Sequence, residues 1–154
     1  MQSSQLAPIR DWDGVRALRR QLEQRLRALP EEPRRELAMV AAELAENGLR
    51  HADAGDGDVC VMVELECDPS FVELRVTTPL RAAEQAREVL QRIREIEAAE
   101  DKQRAYVERL IELSRGDGSA TSELGFHRIA TEGQCSLRAA HEGDRLTIRA
   151  RRRL

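Results

Sequence analysis

Arg35-Glu36-Leu37-Ala38-Met39-Val40-Ala41-Ala42-Glu43-Leu44-Ala45-Glu46-Asn47-Gly48-Leu49-Arg50-His51-Ala52 is the stretch whose reading decides the fold. At ~100° per residue, Leu37, Val40, Ala41, Leu44 and Gly48 gather on one side of a helix, and Glu36, Glu43 and Asn47 line the edge of that stripe. A carboxylate and an amide one turn apart therefore stand at the rim of a core, and His51 follows one turn later, nearer the stripe's centre. Such a file could hold a metal, a water and a phosphate, or it could be the polar border of an amphipathic helix. Pattern alone favours the border, because charged residues usually flank buried stripes.

Outward from this helix, the preceding segment reads as another. Asp11 or Asp13 caps it, Val15, Leu18, Leu22, Leu26 and Leu29 recur every three or four residues, and Pro30 ends it. Glu31, Glu32 and Pro33 then open the central helix with acids that suit its dipole. A short strand is expected near Leu6 to Ile9. After the central helix, Asp53-Ala54-Gly55-Asp56-Gly57-Asp58 is a surface turn; a calcium loop starting at Asp53 would need Glu64 as its last ligand, inside an evident strand.

Val59, Val61, Val63, Leu65 and Cys67 alternate with Met62, Glu64 and Glu66, and beyond Asp68-Pro69-Ser70 the residues Val72, Leu74 and Val76 alternate with Glu73, Arg75 and Thr77. This is a half-buried antiparallel hairpin. Residues 80 to 98 form a helix with Ala83, Ala86, Leu90, Ile93 and Ile96 inward, and residues 100 to 115 a second with Val107, Leu110 and Ile111 inward. The small-residue stretch Gly116-Asp117-Gly118-Ser119-Ala120-Thr121-Ser122 leads into a short helix, Glu123 to Ala130, ended by Gly133. A hydroxyl-rich loop at a helix N-terminus can offer backbone N–H groups to an anion, although Ser119, Thr121 or Ser122 acting as a cap is the simpler reading. A second hairpin, Ser136 to His141 and Arg145 to Arg151, closes the chain with Leu146, Ile148 and Ala150 inward. Helices preceding and interrupting an antiparallel sheet predict an α+β fold, a two-layer sandwich with the helices on one face.

Composition narrows the function. The chain has 154 residues, 34% charged and 41% hydrophobic, which suits one soluble domain spanning 1–154. A formal charge of -3 argues against nucleic acid as the partner, and the run Arg149, Arg151, Arg152 and Arg153 reads as a solvated tail. Lys102 is the single lysine, so no P-loop lysine is available. Cys60, Cys67 and Cys135 lack Cys-x-x-Cys spacing and read as reduced, buried thiols. With neither a signal segment nor ~20 consecutive apolar residues, a cytoplasmic protein without membrane contact is expected.

The order of parts resembles a known family. Glu43-x-x-x-Asn47-x-x-x-His51-Ala52 on a helix, then a hairpin, a variable insert from Leu80 to Leu113, and a loop-to-helix element ending Leu124-Gly125-Phe126-His127-Arg128-Ile129-Ala130, looks like the GHKL ATPase superfamily. Within it, the arrangement is similar to the small stand-alone SiaB-type kinases of bacterial partner-switching systems. The resemblance implies a histidine-kinase-like ATPase sandwich, with ATP and magnesium as cofactors and serine/threonine phosphorylation as the reaction. It implies Glu43 as general base, Asn47 as magnesium ligand, and His51, Thr121, Ser122 and Gly125 as nucleotide contacts. An anti-sigma-antagonist-like regulatory protein is the implied partner, and a homodimer is compatible with the family.

The sequence departs from the family at two boxes. Thr78-Pro79 stands where most relatives carry Asp-x-Gly-x-Gly, and Thr121-Ser122-Glu123-Leu124-Gly125 keeps one glycine where the phosphate loop usually has several. Side chains there block the close backbone approach that glycine permits. Glu123 adds a like charge costing on the order of 1 kcal/mol against phosphate. A catalytically inactive member that serves as a protein-binding regulatory module is therefore the alternative.

Overall fold

The computed structural model describes residues 2–116 and 124–154. Its elements, in chain order, are β1 (Gln2–Gln5), α1 (Trp12–Arg25), α2 (Glu31–His51), β2 (Met62–Asp68), β3 (Phe71–Pro79), α3 (Ala83–Ala98), α4 (Lys102–Ser114), α5 (Leu124–Thr131), β4 (Ser136–Glu142) and β5 (Arg145–Arg153). The five strands form one antiparallel sheet in the order β1-β2-β3-β5-β4. Helices cover one face, giving the expected α+β sandwich.

Local chemistry explains the punctuation. Asp11 caps α1 by accepting from the Gly14 N–H at 2.9 Å. The Asp68 carboxylate accepts from the backbone of Ser70 and Phe71 and so closes the β2–β3 turn. Gly143 turns β4 into β5 at φ +60, a conformation that glycine adopts freely.

The central helix is buried more deeply than a single stripe predicts. Leu37, Val40, Ala41, Leu44 and Gly48 are buried as expected, and so are Ala38, Ala42 and Ala45, because α2 is flanked by α1 and α5 as well as lying on the sheet. At Gly48 the helix approaches the sheet closely: a Cβ there would lie 2.6 Å from Thr78 Oγ1 and 3.1 Å from Val61 Cγ2. This contact holds the Asn47–His51 turn at a fixed height over β3. Near the other end of α2, Glu36 pairs with Arg152, which is 8% exposed and also donates to the Gly133 carbonyl at 3.3 Å.

Four expectations need correction. The N-terminal ladder runs over Gln2–Gln5 and not Leu6 to Ile9, because Pro8 has no N–H to donate; beyond it Leu6 donates to the Val63 carbonyl, and Ile9 and Val61 exchange a pair of backbone hydrogen bonds as an isolated bridge. Ala83 begins α3 on the exposed side. Val107, Leu110 and Ile111 are 45%, 39% and 46% exposed, because α4 packs mainly on α5 and α3 through Tyr106 and its neighbours rather than on the sheet. The arginine run at the C-terminus is no tail: it forms β5, with Arg152 turned inward and Arg149, Arg151 and Arg153 outward.

Candidate functional site

The polar edge of α2 faces α3 and α5, and those two helices receive its three functional candidates. Glu43 is half-buried, and its Oε1 accepts from Arg128 Nη1 of α5 at 2.5 Å. Its other oxygen lies against Gly125, where a Cβ would come within 2.9 Å of Oε2. Gly125 therefore does meet the α2 carboxylate, and a side chain there would push it aside. Burial holds the Glu43 carboxyl above its ordinary range, and the Arg128 charge draws it back only in part.

One and two turns on, Asn47 and His51 line a cavity of about 90 Å³ with Gln85, Glu88, Arg92 and Phe126. The Gln85 amide lies 3.1 Å from His51 Nδ1, a bond that suits a neutral imidazole accepting at that nitrogen. Burial, reinforced by Arg50, lowers the His51 pKa in the same direction. Thr121 and Ser122 lie outside the described residues.

Two residues that pattern reading passed over shape this region. Arg128 sits four residues before Glu132, to which its Nε donates at 3.4 Å, so an ordinary (i, i+4) pair concealed its reach across to Glu43. His127 is 7% exposed, stacks on Tyr106 with ring centroids 6.0 Å apart, and its Nδ1 is buried without a partner among the described residues. Burial first, then the charges of Arg92 and Arg109, lowers its pKa. His127 ties α4 to α5 through that ring contact.

The fit of a magnesium nucleotide can be judged from these walls. Magnesium on phosphate needs only one or two protein oxygens, and Asn47 could be one of them. The cavity beside it, however, is well below the ~300–1,000 Å³ of pockets that enclose ligands of this size. Glu88 adds a carboxylate to its lining, and one turn back along α2 the Glu43 carboxylate is engaged by Arg128 and stands against Gly125. The described walls by themselves, which leave out residues 117–123, enclose less space than a nucleotide fills. Among the described residues no three histidine, cysteine or acidic side chains gather as a metal cluster, and no helix is long and apolar enough to cross a membrane.

No protein-family model and no curated protein matches the chain. A solved structure, that of the SiaB–SiaC complex from Pseudomonas aeruginosa, contains a chain of similar fold. The two are 14% identical and superpose with a TM-score of 0.67 over 97% of this chain and 91% of that one. At that identity the likeness establishes the fold, and it agrees with the SiaB-like architecture that the order of motifs implies.

Proposed function

We propose that this chain is a regulatory protein of the partner-switching type that works as a protein-binding module, with its nucleotide site closed. The observation that carries the reading is the junction of α2 and α5. Glu43, the residue that would serve as base, is held by Arg128 and packed against Gly125, and Asn47 opens on only about 90 Å³. The fold's likeness to a chain of the SiaB–SiaC complex supports a protein partner, and the family resemblance points to an anti-sigma-antagonist-like domain. Calorimetric titration of the intact chain with ATP and magnesium is expected to give no saturable heat, and Glu43→Ala to leave capture of such a domain unchanged. Saturable heat that Asn47→Ala abolishes would overturn the closed-site reading.

A second reading, an ATP- and magnesium-dependent serine/threonine kinase, has its own support. Glu43 and Asn47 lie one turn apart on the same side of α2, and burial raises the Glu43 carboxyl toward the range a general base needs. It requires Arg128 to leave Glu43. Arg128→Ala should then create or strengthen nucleotide binding, whereas the closed-site reading expects the 90 Å³ cavity to stay too small even without that guanidinium.

A further inference from the structure

The face of the sheet turned away from the helices carries a row of charge that the helical site does not use. Strand register places Arg75, Arg149 and Arg138 directly opposite one another on β3, β5 and β4. Neighbouring strands lie ~4.8 Å apart, so three guanidinium stems stand within ~10 Å. Like charges directly opposite on one face are destabilising. Arg75 is compensated by Glu64 at 3.2 Å and Glu73 at 3.8 Å. Arg138 and Arg149 have no hydrogen-bond or ion-pair partner among the described residues.

Along β5 the same face continues with Arg151 and Arg153. Two adjoining grooves of about 410 and 480 Å³ share Arg138 and Arg149 as lining, so the surface is concave and mainly cationic, with Glu142 in the first groove and Glu73 in the second as its carboxylates. Successive outward arginines on β5 recur every two residues, ~6.8 Å, which is also the spacing of alternate side chains in an extended peptide.

We propose that this open face binds an acidic segment of a protein partner, in extended conformation, through Arg138, Arg149 and Arg153. Charge complementarity carries the assignment, and two observations favour a peptide over nucleic acid. Glu73, 7% exposed, sits inside the patch and pairs with Arg151 at 3.2 Å, so the free cations stand apart from one another: carboxylates spaced along a peptide can meet them singly, whereas a phosphate backbone, charged at every nucleotide, would have to cross Glu73. Phe71, the aromatic ring on this face, is already covered by the Arg151 guanidinium at 4.0 Å and offers no platform for a base. The surface lies on the opposite side of the sheet from Glu43, so its test is independent of nucleotide binding.

The test is fluorescence anisotropy on the full chain with a labelled Glu-Ser-Glu-Ser-Glu-Ser peptide, its Gln-for-Glu counterpart and a short single-stranded oligothymidine. The expected result is saturable binding of the acidic peptide, at least tenfold weaker binding of the other two, and at least a tenfold loss in R138S/R149S. That variant should keep the wild-type circular dichroism spectrum and an unchanged or higher Tm, since it removes like-charge repulsion. Amide shifts on peptide addition should fall on β4 and β5. Absence of peptide binding, binding indifferent to R138S/R149S, or tighter binding of the oligonucleotide would overturn the proposal. So would concentration-dependent self-association, in sedimentation, that the double variant abolishes, because the face would then belong to a second copy.

Discussion

On the helical side of the sheet the carboxylates of Glu36 and Glu43 each meet one guanidinium from a distant part of the chain, Arg152 and Arg128, whereas on the open side Arg138 and Arg149 face each other across two strands without a carboxylate. The residue types are the same, and the difference lies in burial. Arg152 is shielded from water, so an unpaired charge there would be costly and the sequence supplies Glu36. Arg138 and Arg149 are exposed, water screens their repulsion, and the fold tolerates them as a surface free to take an anion from outside. The buried guanidinium of Arg152 is paired across elements, whereas Arg138 and Arg149 stay exposed without a partner among the described residues.

Breaking the buried pair should have the largest effect. Glu36→Ala leaves Arg152 inside with only the Gly133 carbonyl, and is expected to cost about 3 kcal/mol, read as a lower urea midpoint at constant slope. A loss within experimental error would mean that water reaches Arg152 and that the two sides of the sheet do not differ as argued. Gly48→Ala comes next. The added methyl meets Thr78 and Val61, and the strain outweighs the ~1 kcal/mol gained in helix propensity, for a net cost of about 1–2 kcal/mol in thermal unfolding. A stabilised variant would show that α2 can rise off the sheet and that the height of Asn47 is not fixed by this contact.

Titration of His127 sharpens the comparison further. Its pKa is lowered in the fold from the ordinary 6.5, so the unfolded chain binds its proton first. The contribution of the neutral ring is complete above pH 6.5 and is lost as pH falls below it toward the lower folded value. His127→Gln should flatten that part of the stability profile measured by urea unfolding across pH 7.5 to 5.5, while His51, shifted the same way, leaves a residual slope. An identical profile in the variant would mean that the ring is already solvated in the native state. The smallest effect belongs to the open face: Arg149→Ser is expected to change stability by no more than ~0.5 kcal/mol, and a larger loss would show that this arginine is structural rather than free for a partner.

Much of this could be read from residue order. The 3.6 period of Leu37, Val40, Ala41, Leu44 and Gly48 placed α2 correctly, and the two-residue alternation of Val63, Leu65, Val72, Leu74 and Val76 placed the hairpin and its inner face. Both signals are local: which way a side chain points follows from helix or strand geometry and from the need to bury apolar surface. Gly125 was expected as a nucleotide contact; what the fold sets beside it is the Glu43 carboxylate, a contact that local pattern does not announce. The same local logic failed for α4, where Val107, Leu110 and Ile111 keep a helical period yet face solvent. An amphipathic period predicts that a helix wants to bury a face; whether the fold offers something to bury it against depends on where neighbouring helices dock.

The sequence by itself therefore determined the element order, the inward faces of α2 and of the strands, and the one-turn spacing of Glu43, Asn47 and His51, because these depend on backbone periodicity and apolar burial. Only the tertiary structure decided that Arg128 reaches across 85 positions to hold Glu43, that Arg152 turns in while Arg149 turns out, and that strand register lines up Arg75, Arg149 and Arg138. Those outcomes rest on which distant side chains share a low-dielectric gap or a pleat, and on how many residues each turn inserts between them. Periodicity along one element carries no information about either.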